Sequence, residues 1–165
     1  MKNYLLAFGL AFSLIACSSG DQSKKFASAA EYDDFITSHI SEMQQSLFAV
    51  QNGKFDSTEI ESTIKRYENQ IDSVNKKIKD LPDYDGNKAY RDAAAKLGEF
   101  YKKSVGTYYA DIAEIYKTVR DTTADAKVQE VLAKISEEEA KADDEFLNER
   151  DAFAAKNNLN LGTTE

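Results

Sequence analysis

The feature of this sequence that most constrains its fold is an unbroken heptad pattern near the middle of the chain. Apolar side chains recur there at intervals that alternate between four and three residues, through three heptads. The positions are Ile60, Ile64, Tyr67, Ile71, Val74, Ile78 and Leu81. This spacing places them on one face of an α-helix, which becomes stable when that face packs against other helices. We therefore predict a helix that begins near Asp56 or Ser57 and ends at Pro82, because proline cannot continue a helix.

Three further stretches show the same helical period, and capping or turn residues bound each of them. The first begins with a capping box, in which Ser28 precedes Glu31 by three residues. The four predicted helices cover about residues 28–52, 57–81, 87–120 and 124–156. The fold class that follows is all-α, an up-down-up-down four-helix bundle over residues 28–157 in which helices 3 and 4 are longer than helices 1 and 2. Residues 158–165 are predicted to be a polar tail.

The amino-acid composition is typical of a protein built from long helices, and its acidic charge argues against one class of partner. The 165 residues include one proline and no tryptophan, which is unusual for an all-β fold. Acidic residues outnumber basic ones, 29 to 21, for a net charge of -8. Because nucleic-acid phosphates require a basic face, we expect no nucleic-acid partner. The length predicts a single domain that is large enough to bury a core.

The first 16 residues are predicted to be an export signal. Lys2 provides a short positive start, and the run from Leu5 to Ile15 is apolar except for one glycine and one serine. That run is shorter than the roughly 20 residues that a membrane-spanning helix needs, and it has the length of a signal-peptide core. It ends just before Ala16 and Cys17, and Cys17 is the only cysteine in the chain.

The segment Leu14-Ile15-Ala16-Cys17 resembles the lipobox of bacterial lipoproteins, in which an aliphatic and a small residue precede an invariant cysteine. The resemblance implies that Cys17 takes a diacylglycerol through its sulfur, that cleavage follows Ala16, and that the new amino terminus is open to a further acyl chain. The alternative is a secreted protein with a chance cysteine, but Cys17 has no disulfide partner within the chain. Residues 17–27 are then predicted to be the lipidated cysteine and a polar tether.

The resemblance also indicates a location and a class of function. Cys17 is not followed by Asp, the retention cue of inner-membrane lipoproteins in enteric bacteria, so we expect the outer membrane, on its periplasmic or surface face. With the Ser-x-x-Glu-Tyr start of helix 1 and the tyrosine-rich helix 3, the lipobox looks like that of small surface lipoproteins of Bacteroidetes and spirochaetes. That resemblance brings no catalytic residues. We therefore expect a membrane-anchored binding or scaffolding module with a protein partner, and no cofactor beyond the lipid on Cys17.

Residues that carry catalysis or bind metals are sparse, so we predict that the protein is not an enzyme and has no metal site. His39 is the single histidine, and Met43 lies on the same helix, which excludes a haem with these two as opposite axial ligands. One histidine also excludes a ferritin-like di-iron centre and a usual zinc site. The stretch from Asp83 to Asn87 has the composition of a tight turn rather than of a calcium-binding loop. The acidic runs of helix 4 are expected to face solvent.

Two groups of residues remain as candidate binding sites. The first lies at the helix 3–4 hairpin, which is expected to extend past the helix 1–2 turn because those two helices are longer. Its candidate partner-binding residues are Tyr109, Ile115, Tyr116 and Val119. An exposed apolar tip is typical of a protein contact. The alternative is that these side chains pack on one another and on Phe55.

The second candidate site is a small polar pocket inside the bundle. Folding the helix 3–4 hairpin about residue 121 places Ser104 opposite Glu139, where the apolar stripe of helix 4 is interrupted. The candidate ligand-binding residues are Tyr67, Tyr101, Ser104 and Glu139. A bundle with such a pocket would be a small-ligand carrier or sensor. The alternative is that the tyrosine hydroxyls and the glutamate side chains reach water.

Overall fold

The computed structural model describes residues 26–55, 58–119 and 123–161. Their α-helices are α1 Ala29–Gln51, α2 Ile60–Lys79, α3 Ala89–Lys103, α4 Ala110–Thr118 and α5 Ala124–Asn157. One π-helical turn, Ser104–Tyr109, joins α3 to α4, so the described part of the chain forms four helical rods. The described residues contain no β-strand, and the predicted all-helical bundle is confirmed. The predicted signal, residues 1–16, and the predicted lipidation site, Cys17, lie outside the described residues.

The start of α1 has the capping box that the sequence predicts. The Ser28 hydroxyl accepts a hydrogen bond from the Glu31 backbone N–H at 3.2 Å, and the Glu31 carboxylate accepts one from the N–H of the residue before Ser28 at 2.8 Å. The first bond satisfies an N–H group that the first helical turn leaves unpaired, and the second holds the residue before the cap against the helix. Before the cap, the Phe26 ring contacts Tyr32 edge-on, with centroids 5.1 Å apart. Phe26 therefore belongs to the folded core, which corrects the predicted tether of residues 17–27.

A tight turn connects α2 to α3. Asp85 and Gly86 have φ angles of 47° and 71°, both in the left-handed region. The backbone groups of Tyr84 and Asn87 bond to each other on either side of them, at 3.3 and 2.9 Å. An Asp-Gly pair suits such a turn because glycine has no Cβ to clash at positive φ. The predicted turn is therefore confirmed.

The rods pack around the third one, which consists of α3, the π turn and α4. This third rod contacts α2 on one side, α5 on another and α1 across the bundle. Among the described residues α2 does not contact α5, and α1 contacts α5 only sparsely. From this sparse contact, and from the cavity that Gln51, Val128 and Leu132 line at one end, we infer a groove between residues 44–51 of α1 and residues 128–147 of α5, with the third rod as its floor. We call it the α1–α5 groove.

A buried carboxylate joins three rods near the start of α1. Asp33 is 5% exposed, and its two oxygens accept hydrogen bonds from the Arg150 guanidinium of α5 at 2.9 and 2.7 Å. The Tyr90 hydroxyl of α3 donates to the same carboxylate at 2.6 Å. Burial, together with the bond to Asp33, raises the pKa of Tyr90 well above its ordinary value, so the hydroxyl keeps the proton that it donates. We call Asp33, Tyr90 and Arg150 the carboxylate clasp.

The end of α5 returns toward the same end of the bundle. Asn158 has a φ of 52°, and the Leu159 N–H donates to the Ala154 carbonyl at 2.9 Å, which is the bonding of a left-handed helix cap. The Leu159 side chain packs against the hydrophobic core. The prediction of a polar tail over residues 158–165 is therefore wrong at Leu159.

Breaking the clasp is expected to destabilise the bundle strongly. Asp33→Asn leaves the Arg150 guanidinium without its counter-charge in a largely buried position, and removing one partner of a buried pair costs about 3 kcal/mol. Urea unfolding followed by circular dichroism measures this loss. The matched control is Glu137→Gln, which breaks an exposed pair with Lys141 and should cost less than about 0.5 kcal/mol. Equal losses in the two variants would contradict a special role for the clasp.

Candidate functional site

Exposed apolar side chains border the α1–α5 groove. The large apolar residues that are exposed in the described part of the chain are Phe48 at 56%, Leu147 at 51% and Tyr116 at 36%. Phe48 follows Gln44 by one turn of α1, and Leu147 follows Asp143 by one turn of α5, so each lies on the groove side of its helix. Tyr116 lies at the end of the groove farthest from the clasp. The three residues therefore provide exposed apolar surface at different levels along the groove.

Two carboxylates lie on the inner side of α5 within the groove. Glu139 and Asp143 are four residues apart, which is about one helical turn, and both are partly buried. Neither forms a hydrogen bond or an ion pair with another described residue. Burial raises the pKa of Glu139, and the neighbouring Asp143 charge raises it further. Burial likewise raises the pKa of Asp143, with Asp144 as the smaller cause.

The inward position of these two groups corrects the expectation that the acidic runs of α5 face solvent throughout. Glu138 is the contrasting case, since its carboxylate binds the Lys103 ammonium at 2.8 Å and accepts a hydrogen bond from the Tyr108 hydroxyl at 2.7 Å. Hydrogen bonding to Lys103 lowers the pKa of Glu138. The adjacent residues Glu138 and Glu139 therefore differ, because the first is paired with a cation and the second is not. Glu139 and Asp143 are both partly buried, and neither pairs with a cation from the described residues.

Tyrosines of the third rod form the floor of the groove at the level of these carboxylates. Tyr101 is fully buried, and its hydroxyl accepts a hydrogen bond from the Gln44 amide at 3.0 Å. Burial raises the pKa of both Tyr101 and Tyr109, and the charge on Glu139 adds to both shifts, so that carboxylate lies near both hydroxyls. Ser104, between the two tyrosines in sequence, is also fully buried. Its hydroxyl has no hydrogen-bond partner among the described residues.

The π turn gives the floor its shape. A π-helix is wider than an α-helix and holds more residues in a turn. It brings two consecutive tyrosines inside, Tyr108 at 9% and Tyr109 at 5% exposure. Tyr108 bonds to α5 through Glu138, whereas Tyr109 faces the far end of α1. On the other side of the turn, Gly106 lets α2 approach closely, because a Cβ there would lie 2.7 Å from the Glu68 carboxyl group.

An apolar cavity of about 310 Å³ opens at the end of the groove that is farthest from the clasp. Its lining residues are Gln51, Phe55, Tyr109, Ile112, Tyr116, Val128 and Leu132. The Tyr109 ring stacks on Phe55, with centroids 5.7 Å apart, while Glu139 lies near the Tyr109 hydroxyl. The cavity therefore adjoins the carboxylates through one shared tyrosine. We call it the distal cavity.

The residues of the predicted tip are only partly where the sequence places them. Tyr116 is exposed and lines the distal cavity. Ile115 and Val119 are half-buried. Tyr109 contradicts the prediction of an exposed contact, because it is 5% exposed and its ring is covered by Phe55. The binding surface that the structure offers is a cavity beside the hairpin rather than a projecting tip.

The residues of the predicted pocket also separate into two groups. Tyr101, Ser104 and Glu139 lie at one level of the bundle, because the neighbouring residues Lys103 and Glu138 bind each other. Tyr67 is separated from Glu139, because it lies on α2, which does not contact α5 within the described ranges. The Arg66 guanidinium lies 4.6 Å from the centre of the Tyr67 ring instead. Sequence reasoning missed Asp143, although its four-residue spacing from Glu139 was a signal that both share one helix face.

Other residues with potential chemistry have structural roles. The His39 ring stacks on Phe35, with centroids 4.1 Å apart, and its Nδ1 lies 2.7 Å from the Phe35 carbonyl oxygen. Arg91 binds Asp83 at 2.6 Å and Asp92 at 2.7 Å, so the acidic groups beside the tight turn are paired. Nowhere in the described ranges do three or more His, Cys, Asp or Glu side chains group so that they could hold a metal ion.

Comparison with known proteins adds no assignment. No protein-family model, curated protein or solved structure matches the chain. Among the helices of the described part, none has both the length and the apolar composition of a membrane-spanning helix.

The partly buried carboxylates are expected to make stability depend on pH. Their raised pKa values mean that the fold favours the protonated groups, so the stability they contribute is present below about pH 4 and is lost as the pH rises through the raised values. Glu139→Gln with Asp143→Asn should therefore stabilise the protein at about pH 7 and have little effect near pH 4. Thermal melts across this range measure the difference.

The control for this experiment removes the same two kinds of charge from the exposed side of α5. Glu137→Gln with Asp151→Asn changes groups that are exposed, and it should not give a difference that grows between about pH 4 and pH 7. A pH dependence that is identical in the two double variants would show that net charge, and not burial, is responsible.

Proposed function

We propose that this protein is a non-catalytic lipoprotein of the cell envelope whose helical bundle docks a protein partner. The observation that carries the proposal is the open, apolar distal cavity with Tyr116 exposed at its edge. The cavity lies at the end of α1, and the tether from Cys17 enters the fold at its start, beside Phe26. The 23 residues of α1 separate the two by about 35 Å. A chain held at Cys17 would therefore present the cavity away from the membrane.

The proposed anchor is the diacylglycerol on Cys17, with a further acyl chain on the amino terminus. Its support is the lipobox-like segment Leu14-Ile15-Ala16-Cys17 and the lack of any second cysteine. Two or three acyl chains hold a protein firmly in a bilayer, whereas a single chain holds it only marginally. The residue after Cys17 is Ser rather than Asp, which favours the outer membrane, on its periplasmic or surface face.

The up-down-up-down order of the rods is part of the proposal. Contacting pairs between α2 and the third rod are Asn75–Ala95, Asp72–Lys102 and Glu61–Lys117, and pairs between α3 and α5 are Lys96–Glu145 and Lys103–Glu138. In each set one residue number rises as the other falls, which supports antiparallel neighbours. In this order the amino-terminal tether and the end of α5 share the end of the bundle that holds the clasp.

A small-ligand carrier or sensor is the second candidate function, and one observation favours it. The Ser104 hydroxyl is fully buried without a partner in the described residues, which leaves hydrogen-bonding capacity beside Tyr101 and Glu139. Tyr101 weakens this candidate, because its hydroxyl is already engaged by Gln44. A carrier would purify with a bound small molecule and melt at a higher temperature with it.

The lipid anchor predicts a simple biochemical result. Cys17→Ala should abolish incorporation of a labelled fatty acid and move the protein from the detergent-rich to the aqueous phase in detergent partitioning, because no other residue supplies the lipid. Ser18→Ala is the matched control and should behave like the natural chain. Fatty-acid labelling that persists without Cys17 would refute the proposed anchor.

The docking function predicts that a partner is reached from the distal cavity. A photo-crosslinking amino acid at position 116 should capture one reproducible protein in cells, because Tyr116 is at the cavity edge. The same crosslinker in place of Gln70, which is exposed on α2, should capture none or less. Mass spectrometry identifies the adducts. Equal capture at both positions, or a bound small molecule in place of a protein, would favour the second candidate.

A further inference from the structure

The two carboxylates of the groove differ from their paired neighbours on α5. Glu138 has Lys103 as its counter-charge, but neither Glu139 nor Asp143 has a cation within the described part of the chain. Withdrawing a carboxylate from water without a counter-charge costs free energy. A cation supplied from outside would reduce that cost, so the fold presents an unfilled site for positive charge.

The groups that surround these carboxylates are neutral or acidic. They are Tyr101 and Tyr109 on the third rod and Asp144 on α5. Gln44 bonds to Tyr101, and Gln51 lines the distal cavity with Tyr109. No Lys or Arg of the described chain is among the causes that shift the pKa of Glu139 or of Asp143. The positive charge that this site requires therefore does not come from the described part of the same chain.

Ser104 is an independent observation at the same level. Its hydroxyl is fully buried and has no hydrogen-bond partner among the described residues. In sequence, Ser104 lies between Tyr101 and Tyr109, and the charge on Glu139 raises the pKa of both tyrosines. Natural interiors rarely leave such a group unpaired. Both a buried hydroxyl and two carboxylates thus have hydrogen-bonding capacity here that the fold itself does not use.

Apolar surface lies on both sides of this polar level. Phe48 and Leu147 are exposed on the two walls of the groove, and the distal cavity lies beyond Tyr109. Glu139 follows Leu132 by seven residues and Val128 by eleven, which correspond to about 10 and 16 Å along α5. A ligand that fills both parts must carry a cation and an apolar group at that separation.

We infer that the α1–α5 groove binds an amphipathic basic helix of the partner protein, with a Lys or Arg side chain at Glu139 and Asp143 and an apolar side chain in the distal cavity. This inference rests on the proposed docking function and names the chemistry of the partner. On a helix, the required separation corresponds to about seven to eleven residues between the cation and the apolar anchor. Phe48 contacts the apolar positions between them, and Leu147, on the clasp side of Asp143, contacts an apolar position beyond the cation, in the manner of a helix held in a groove.

A direct test uses two synthetic peptides of about 18 residues, or five helical turns. The first places Lys and Leu along one helical face, and the second has every Lys replaced by Glu. Fluorescence anisotropy with the purified full-length chain at about 0.15 M salt, where long-range charge effects are screened, should show binding of the basic peptide only. Glu139→Gln with Asp143→Asn should weaken it about tenfold or more, as expected for a partly buried charge contact.

Two further variants separate the groove from general attraction to an acidic protein. Glu137→Gln with Asp151→Asn removes equal charge from exposed positions of α5 and should leave the affinity within about twofold of the natural chain. Tyr116→Ser opens the cavity edge and should also weaken binding. Equal weakening by the inner and outer charge variants would overturn the inference, as would binding of the acidic peptide or of a small aliphatic amine in place of the basic peptide.

The same substitutions in cells distinguish failure of this inference from failure of the docking function. Loss of the position-116 crosslink in the Glu139→Gln, Asp143→Asn chain supports the basic helix. A crosslink that persists at full yield overturns the basic helix and leaves a docking module that recognises its partner without the carboxylates. If the natural lipidated chain gives no crosslink at all, the proposed docking function itself is contradicted.

Discussion

The carboxylate clasp of Asp33, Tyr90 and Arg150 is the interaction on which the arrangement of the rods depends. Taking a carboxylate and a guanidinium out of water is costly unless their hydrogen-bonding groups are satisfied, and here three donated bonds from two other rods converge on one carboxylate. Such a contact determines which helices meet and at what level. Because α1 and α5 otherwise contact each other sparsely, the clasp is the base from which the α1–α5 groove opens.

The composition of the third rod explains why the groove stays polar in its middle. Tyrosine rings supply apolar packing, but each buried hydroxyl needs a partner, and these partners come from the helices on either side. Gln44 bonds to Tyr101 and Glu138 to Tyr108. An apolar seam between α1 and α5 would leave such hydroxyls without partners. The tyrosine-rich floor therefore accounts for the open groove and for the polar level between its two apolar parts.

Features that depend on sequence neighbours can be predicted for this chain, whereas features that depend on tertiary contacts cannot. The four rods, the Ser28 cap and the Asp-Gly turn follow from local spacing and local hydrogen bonding. The spacing leaves Ser104 and Val105 as alternatives for one inward position, and the π turn buries both. A heptad pattern shows that Tyr67 lies on a packed face but not which rod covers it. An acidic run likewise places carboxylates all around α5, so only the packing distinguishes Glu139 from its neighbours.

The position of the clasp has a mechanical consequence. The proposed tether would lead into the start of α1, and the distal cavity lies at the other end of that helix, so tension between the proposed lipid anchor and a docked partner would run parallel to the helix axes. Such a load shears many side-chain contacts at once, whereas a load across the axes would peel them apart one by one. The clasp is a cross-link between rods close to the point where the tension would enter, so it would be among the first lateral contacts to bear that load.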